Sequence, residues 1–274
     1  LISKTTELDF EKGVGTGKDV FVTVRGIPVF YTPYMRFSLD EQRKTGFLVP
    51  EWSGSWTKGP DVFTPFYWNI ASNMDMLIQP SYIQDRGSRI ETTFRYLKKE
   101  FDGAIYISYL GDDSEYVDDR YKILVDHQHQ VNPNLLINTH FEKISDKDYY
   151  NDFGTGIAGV STTYGSRYIE AIYEYNDWKI YGEFLEYQTF DKSLTSESEP
   201  YDLLPKIEIS KRWDRDLANF DIWTSITEWD HDYETKVEGT RSDFQLGVDK
   251  TFSMKGLDIT PRLKLQHTQY NLCL

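Results

Sequence analysis

The sequence predicts an all-β protein: a transmembrane antiparallel up-and-down β-barrel wall, preceded by the end of a separate β domain. Three observations carry this. Apolar and polar residues alternate with period two along most of the 274 residues, the signature of half-buried strands. The connections between these stretches alternate between short and long, as the two ends of a membrane barrel require. No run approaches the ~18 apolar residues of a membrane helix, although aromatic residues make up 16% of the chain.

Before residue 40 the pattern is one of short strands with glycine-rich turns. Leu8-Asp9-Phe10-Glu11, Val20-Phe21-Val22-Thr23-Val24 and Ile27-Pro28-Val29-Phe30-Tyr31 alternate or run apolar, and Gly13, Gly15 and Gly17 lie between. We read residues 1–40 as the tail of one β domain and 41–274 as the barrel wall, with the boundary near residues 37–42. From about residue 44 onward roughly thirteen strands are expected, many near the 9–11 residues of a tilted membrane strand. Ile90, Thr92, Phe94 and Tyr96 oppose Arg89, Glu91, Thr93 and Arg95; Leu135, Ile137, Thr139 and Phe141 oppose Leu136, Asn138, His140 and Glu142. Leu257, Ile259, Pro261, Leu263 and Leu265 oppose Asp258, Thr260, Arg262, Lys264 and Gln266. Arg89, Glu91, Arg95, Asn138, His140, Arg262 and Lys264 are therefore expected to face a lumen, and Ile90, Phe94, Ile137, Phe141, Leu263 and Leu265 to face lipid.

Short turns are expected near 72–73, 99–100, 132–133, 176–177, 214–215 and 255–256, and long loops over 52–61, 111–120, 143–165, 191–202 and 228–241. The short link at 84–88 breaks the alternation. A soluble sandwich with Greek-key crossovers has no reason to alternate in this way, but composition by itself leaves a soluble all-β protein open. The stretches 111–120, 143–153, 191–202 and 228–241 hold 17 acidic against 6 basic residues, so they carry −11 of the net −14. Acidic loops are ordinarily just solvated. The sharper expectation is a surface cation-binding loop at Asp112, Asp113, Asp118 and Asp119.

The net charge of −14 offers no basic stripe for nucleic acid. No nucleophile elbow, P-loop or dinucleotide fingerprint appears, so neither an enzyme nor a cofactor is expected. His127 and His129 share a strand face, but no third ligand has a suitable spacing for zinc. The single cysteine, Cys273, cannot form an internal disulfide and leaves the redox compartment unread. The chain opens and closes inside strand-like patterns, as an excised segment would. Pro50 and Pro65 fall inside two consecutive strands. Proline offers no N–H to a ladder, and on the residues alone both read as ordinary bulges.

Several segments resemble the LptD family of lipopolysaccharide-assembly barrels. They are Gly26-Ile27-Pro28-Val29-Phe30-Tyr31-Thr32-Pro33-Tyr34, Arg43-Lys44-Thr45-Gly46-Phe47-Leu48-Val49-Pro50, Pro65-Phe66-Tyr67-Trp68-Asn69-Ile70-Ala71 with Asn73 and Asp75, Arg86-Gly87, Phe94-Arg95-Tyr96-Leu97, Ser145-Asp146-Lys147-Asp148-Tyr149-Tyr150-Asn151-Asp152-Phe153, and Pro200-Tyr201 with Pro205. The resemblance runs through essentially the whole chain. It implies a periplasmic β-jellyroll joined through Pro28, Phe30, Tyr31, Pro33 and Tyr34 to the first half of a very large barrel of about 26 strands. It implies lipopolysaccharide as cargo, the plug lipoprotein LptE and the periplasmic bridge protein LptA as partners, and the Gram-negative outer membrane as location. It also implies that Pro50 and Pro65 weaken a lateral gate, which reverses their reading as bulges. The family's coupling cysteines have no counterpart here, and Cys273 matches none of them. The rival readings are a passive porin-like channel and a soluble glycan-binding β-sandwich.

Overall fold

The computed structural model describes every residue except 1, 25–26, 40–42, 49–50, 56–58, 155–162 and 274. The chain forms two compact units, Leu1–Val125 with Ile144–Gly154, and Asp126–Lys143 with Thr155–Leu274.

The first unit opens with a three-stranded antiparallel sheet, β1 (Ile2–Asp9), β2 (Val14–Val24) and β3 (Ile27–Ser38). Val14, Val20 and Met35 form its buried side. Gly15 lies under the Phe37 ring, where a Cβ would stand 2.3 Å from the nearest ring atom. A second sheet begins at β4 (Gly46–Phe47) and continues through β5 (Glu51–Ser55), β6 (Gly59–Phe63), β7 (Phe66–Ala71), β8 (Met74–Ile83), β9 (Gly87–Leu97), β10 (Phe101–Asp113) and the first half of β11 (Asp118–Asn132). The chain passes from the first sheet to the second between Ser38 and Gly46. A short helix, α1 (Tyr149–Phe153), also belongs to this unit.

The second unit holds the rest of β11, then β12 (Leu135–Ile144) except its last residue, β13 (Tyr164–Tyr175), β14 (Trp178–Thr189), β15 (Asp202–Trp213), β16 (Asn219–Asp230) and β17 (Glu238–Asp249). A small hairpin of β18 (Phe252–Met254) and β19 (Leu257–Ile259) precedes β20 (Arg262–Cys273). Here each long strand is hydrogen-bonded to the next, and the pairs from β12 to β20 are antiparallel. Counting β4 with β5 and β6 with β7 as one strand each, the described residues give thirteen strands from residue 46 on, leaving aside the β18–β19 hairpin. Asn176 and Asp177 both take positive φ, 46° and 68°, as the tight turn between two twisted strands demands.

Three expectations need correction. The stretch 52–61 is a hairpin, β5–β6, rather than an open loop. Strands also run further than expected into 111–120 and 228–241, because their backbones stay laddered to Asp113 and from Asp118, and to Asp230 and from Glu238. The turn at 255–256 is the tip of β18–β19, so residues 257–265 are not one strand. Pro261 has no N–H and interrupts the pattern; Leu257 and Ile259 pair back onto Met254 and Phe252 instead.

Candidate functional site: a polar sheet face and an interrupted strand pair

The two faces of the sheet differ in kind. In the first unit, register places Arg89, Glu91 and Arg95 opposite Leu110, Ser108 and Ala104. Arg89 lies 3.3 Å from Glu91, Tyr106 donates to Glu91, and Arg95 Nε donates to Asp75 at 2.8 Å. Ile90 and Phe94 point the other way, beside Tyr109 and Ile105.

In the second unit Asn138 and His140 stand opposite Glu170 and Tyr168. Asn138 Nδ2 donates to Glu170 at 2.8 Å, and Tyr181 OH donates to its other oxygen at 3.0 Å. His140 Nδ1 is 2.6 Å from Asp126 and its ring stacks on Tyr168. Arg262 donates to both oxygens of Asp221, while Lys264 stands across from Gly247. The His127 and His129 rings are 5.9 Å apart, and among the described residues no group of three or more His, Cys, Asp or Glu is placed to hold a metal ion.

The opposite face is apolar and open: Ile169 is 49% exposed, Phe184 53%, Ile226 51% and Leu263 73%. A sandwich would bury this face against a second sheet. Leaving so many contiguous aliphatic and aromatic side chains in water would be strongly unfavourable at roughly 25 cal/mol per Å², so their solvent is lipid.

The first strands depart from this regular ladder. β4 pairs with β7 through Gly46↔Tyr67 and Phe47↔Phe66, and β5 pairs with β6 from Glu51↔Phe63 to Ser55↔Gly59. The register changes by one residue between these two blocks. Pro65 is buried and sits in the gap between β6 and β7. Leu48 N donates to Pro65 O there at 2.8 Å. Pro50 lies outside the described residues.

The turn-side end of these strands is held by charge. Arg43 pairs with Asp75, donates to Tyr67 OH at 2.6 Å and to Ser72 O at 3.1 Å. Lys44 Nζ reaches back to the carbonyls of Lys12 and Gly13 at 2.6 and 2.8 Å, tying the three-stranded sheet to the start of the second. Of the junction residues, Pro28 and Phe30 lie in β3 opposite Thr23 and Val22. Pro33 and Tyr34 are exposed in the same strand, and Tyr31 donates to Asp19 at 2.8 Å.

Sequence reasoning missed the most buried charges. Arg120 and Asp113 are both fully buried. Arg120 grips Asp146 with two bonds, at 3.0 and 2.8 Å, and also contacts Asp152 and Asp113. Arg86 donates to Asp113 at 2.7 Å and lies 2.7 Å from Glu115. Both guanidinium groups lie over the Phe153 ring of α1. Burial pushes the Asp146 carboxyl up, but the bonds and charge of Arg120, with bonds from Ser145 and the Asp148 backbone, hold it below the usual value of 3.8. The expected cation loop divides accordingly: Asp113 is committed to two arginines, and Asp119 accepts from Tyr109 OH and Asp112 N, while Asp112 and Asp118 are exposed. Only the positions of Arg86 and Arg120 at strand ends hinted at this cluster.

An antiparallel meander with one polar, hydrogen-bonded face and one exposed apolar face is the wall of a transmembrane β-barrel. No helix among the described residues is long and apolar enough to cross a membrane. The family described as LPS transport system D, LptD, matches residues 118–273, and the chain belongs to that family. Proteins named LPS-assembly protein LptD are similar over almost the whole chain. That of Nitrosococcus oceani is 34% identical over 267 residues, covering 97% of this chain and 36% of the relative. The Alkalilimnicola ehrlichii protein is 32% identical over 99% of this chain and 36% of the relative. The Neisseria meningitidis protein is 29% identical over 98% and 34%. The chain thus spans roughly a third of these relatives' length.

Proposed function

We propose that this chain carries the gate-bearing first half of a barrel that delivers lipopolysaccharide to the outer leaflet of the Gram-negative outer membrane. In this reading residues 1–40 end a periplasmic β-jellyroll, and residues 41–274 form the barrel wall. The cargo has an apolar anchor and a polar glycan. Taking the glycan through the apolar membrane core would be very costly. The polar face of Arg89, Glu91, Arg95, Asn138, His140, Arg262 and Lys264 offers it a lumen instead, while the acyl chains leave sideways into lipid. Partners are lipopolysaccharide, the plug lipoprotein LptE, the bridge protein LptA and outer-membrane lipid. No covalent step is needed, so the protein acts as a transporter rather than an enzyme. Exposed Asp112 and Asp118 suit divalent cations that bridge to lipid phosphates at the surface.

The observation that carries the reading is the one-residue register change between the β4–β7 and β5–β6 pairings, beside Pro65. A passive porin-like channel needs no such defect. Each ladder bond contributes about 0.5–1.5 kcal/mol net, so missing donors lower the cost of parting the strands. Pro50→Ala and Pro65→Ala each restore one donor and should be tolerated singly. The double variant should reduce surface lipopolysaccharide, and raise antibiotic sensitivity, by more than the two singles combined at matched protein levels. Normal export by the double variant would return both prolines to ordinary bulges.

A further inference from the structure

The weak pairing does not stop at the second strand. β8 carries Pro80, and Thr64 N donates to Pro80 O at 3.2 Å. In an antiparallel ladder a residue's N–H and C=O point to the same neighbour, and opposed residues alternate between exchanging two bonds and none. The Thr64–Pro80 pair is therefore a bonded position, and the nitrogen of Pro80 faces Thr64 with nothing to donate. Pro65 repeats the geometry one strand earlier: its carbonyl accepts from Leu48, so its own missing donor faces the first strand.

Register shows that the defect at Pro80 is a lost donor and not a slip. Phe63↔Ser81 on one side of the gap and Phe66↔Ile78 on the other belong to one continuous alignment. On its far side β8 is intact, paired with β9 without a shift from Met74↔Tyr96 to Ile83↔Gly87. There Pro80 stands opposite Ile90 at a position that exchanges no bonds, so its ring removes nothing from the β8–β9 pair. Beyond the gap, among the described residues, β6 pairs with β8 through Asp61↔Ile83, Val62↔Tyr82 and Phe63↔Ser81. The turn-side half is fixed much better, since Asp75 of β8 is gripped by both Arg43 and Arg95.

We propose that Pro80 is a third gate residue, and that the hairpin β5–β6 leaves β8 as a unit about the Pro65–Pro80 line while β4 and β7 stay anchored. This rests on the gate reading above, in which the first and last barrel strands meet at a seam, and it lets the first two strands move together on one side of that seam.

A crosslink across the proposed line tests it in the full-length, plug-bound protein in cells. Phe63 and Ser81 oppose each other at a position without ladder bonds, where neighbouring side chains approach most closely. Phe63→Cys with Ser81→Cys should, once oxidised, lower surface lipopolysaccharide severalfold, while each single-cysteine variant exports normally. The control is Ile78→Cys with Thr92→Cys, which joins β8 to β9 and should leave export unchanged. Normal export with Phe63 and Ser81 crosslinked would overturn the role of Pro80, as would an equal loss from the control crosslink. If the Pro50→Ala/Pro65→Ala variant is impaired but the Phe63–Ser81 crosslink is harmless, the gate stands and its extension to β8 falls. If that double variant exports normally, the gate reading falls and this inference falls with it.

Discussion

Two stretches of the same kind of sheet behave differently. The β13–β14 hairpin pairs without a break from Tyr164↔Thr189 to Tyr175↔Trp178. The first two strands of the second sheet are cut into β4 and β5 against β7 and β6, with a register change between the blocks. Proline alone does not account for the difference. Pro205 lies inside β15, and there the register shifts by one residue between Leu203 and Lys206, after which pairing resumes with the same neighbour. The isolated proline gives a one-residue irregularity against each neighbouring strand, and on both sides pairing with the same neighbour then resumes. Pro65 and Pro80 remove donors at the same level of adjacent strand pairs, so β8, although it spans the gap in one register, holds the second strand there with one donor fewer. Stacking, rather than proline content, separates a weak seam from an ordinary bulge.

If the weakness is local to those prolines, the rest of the first unit should be firmly held. Arg120→Ala tests this and should show the largest effect. It leaves Asp113 buried without one of its two arginines and strips Asp146 of a two-bond partner. Removing one partner of a buried ion pair typically costs about 3–5 kcal/mol. Urea unfolding of the purified protein should register a loss of that order. A loss below about 1 kcal/mol, the level of a surface pair, would mean that the whole unit is loose and that the seam is not special.

The regular block offers the next test. Phe184 lies on the apolar face near the middle of β14, opposite Ile169. Arginine on the lipid face near the bilayer midplane costs about 2–4 kcal/mol. Phe184→Arg should therefore lower the folded, heat-resistant fraction in detergent or lipid. A neutral outcome would place this face in water and remove the contrast between a lipid-facing wall and a lateral seam.

Much of this contrast is legible in the amino-acid sequence. Alternation separates the two faces, since a strand's period of two leaves no freedom once one residue is assigned. Turn chemistry locates the hairpin at Asn176 and Asp177. What escapes is long-range or competitive. Residues 52–61 contain Gly54 and Pro60 and look like a loop, yet pairing with β5, and from Asp61 on with β8 as well, draws Gly59–Phe63 into a strand. Asp113 looks like one more solvated acid in an acidic stretch, and only the fold brings Arg86 and Arg120 to it. The prolines are visible as residues, but their stacking depends on register, which no single strand reveals.

The smallest expected effect concerns the same arginine cluster under acid. Arg120 depresses the Asp146 carboxyl against the opposing push of burial, leaving it below 3.8. A carboxylate whose folded pKa is depressed contributes stability that is present above its unfolded pKa and is lost as pH falls through its folded value. The contribution should therefore be complete at neutral pH and fade below about pH 4. Asp146→Asn keeps the shape and removes the charge. The difference in thermal midpoint between wild type and this variant should be constant from pH 7 to about pH 5 and should shrink as the pH falls further. Comparing the two proteins at each pH cancels the titration of all other acids. A difference that persists undiminished in acid would mean that the bonds to Arg120 depend on shape and not on charge. The hold on α1 would then be steric, and its resistance to opening would no longer separate it electrostatically from the proline-weakened strands of the same unit.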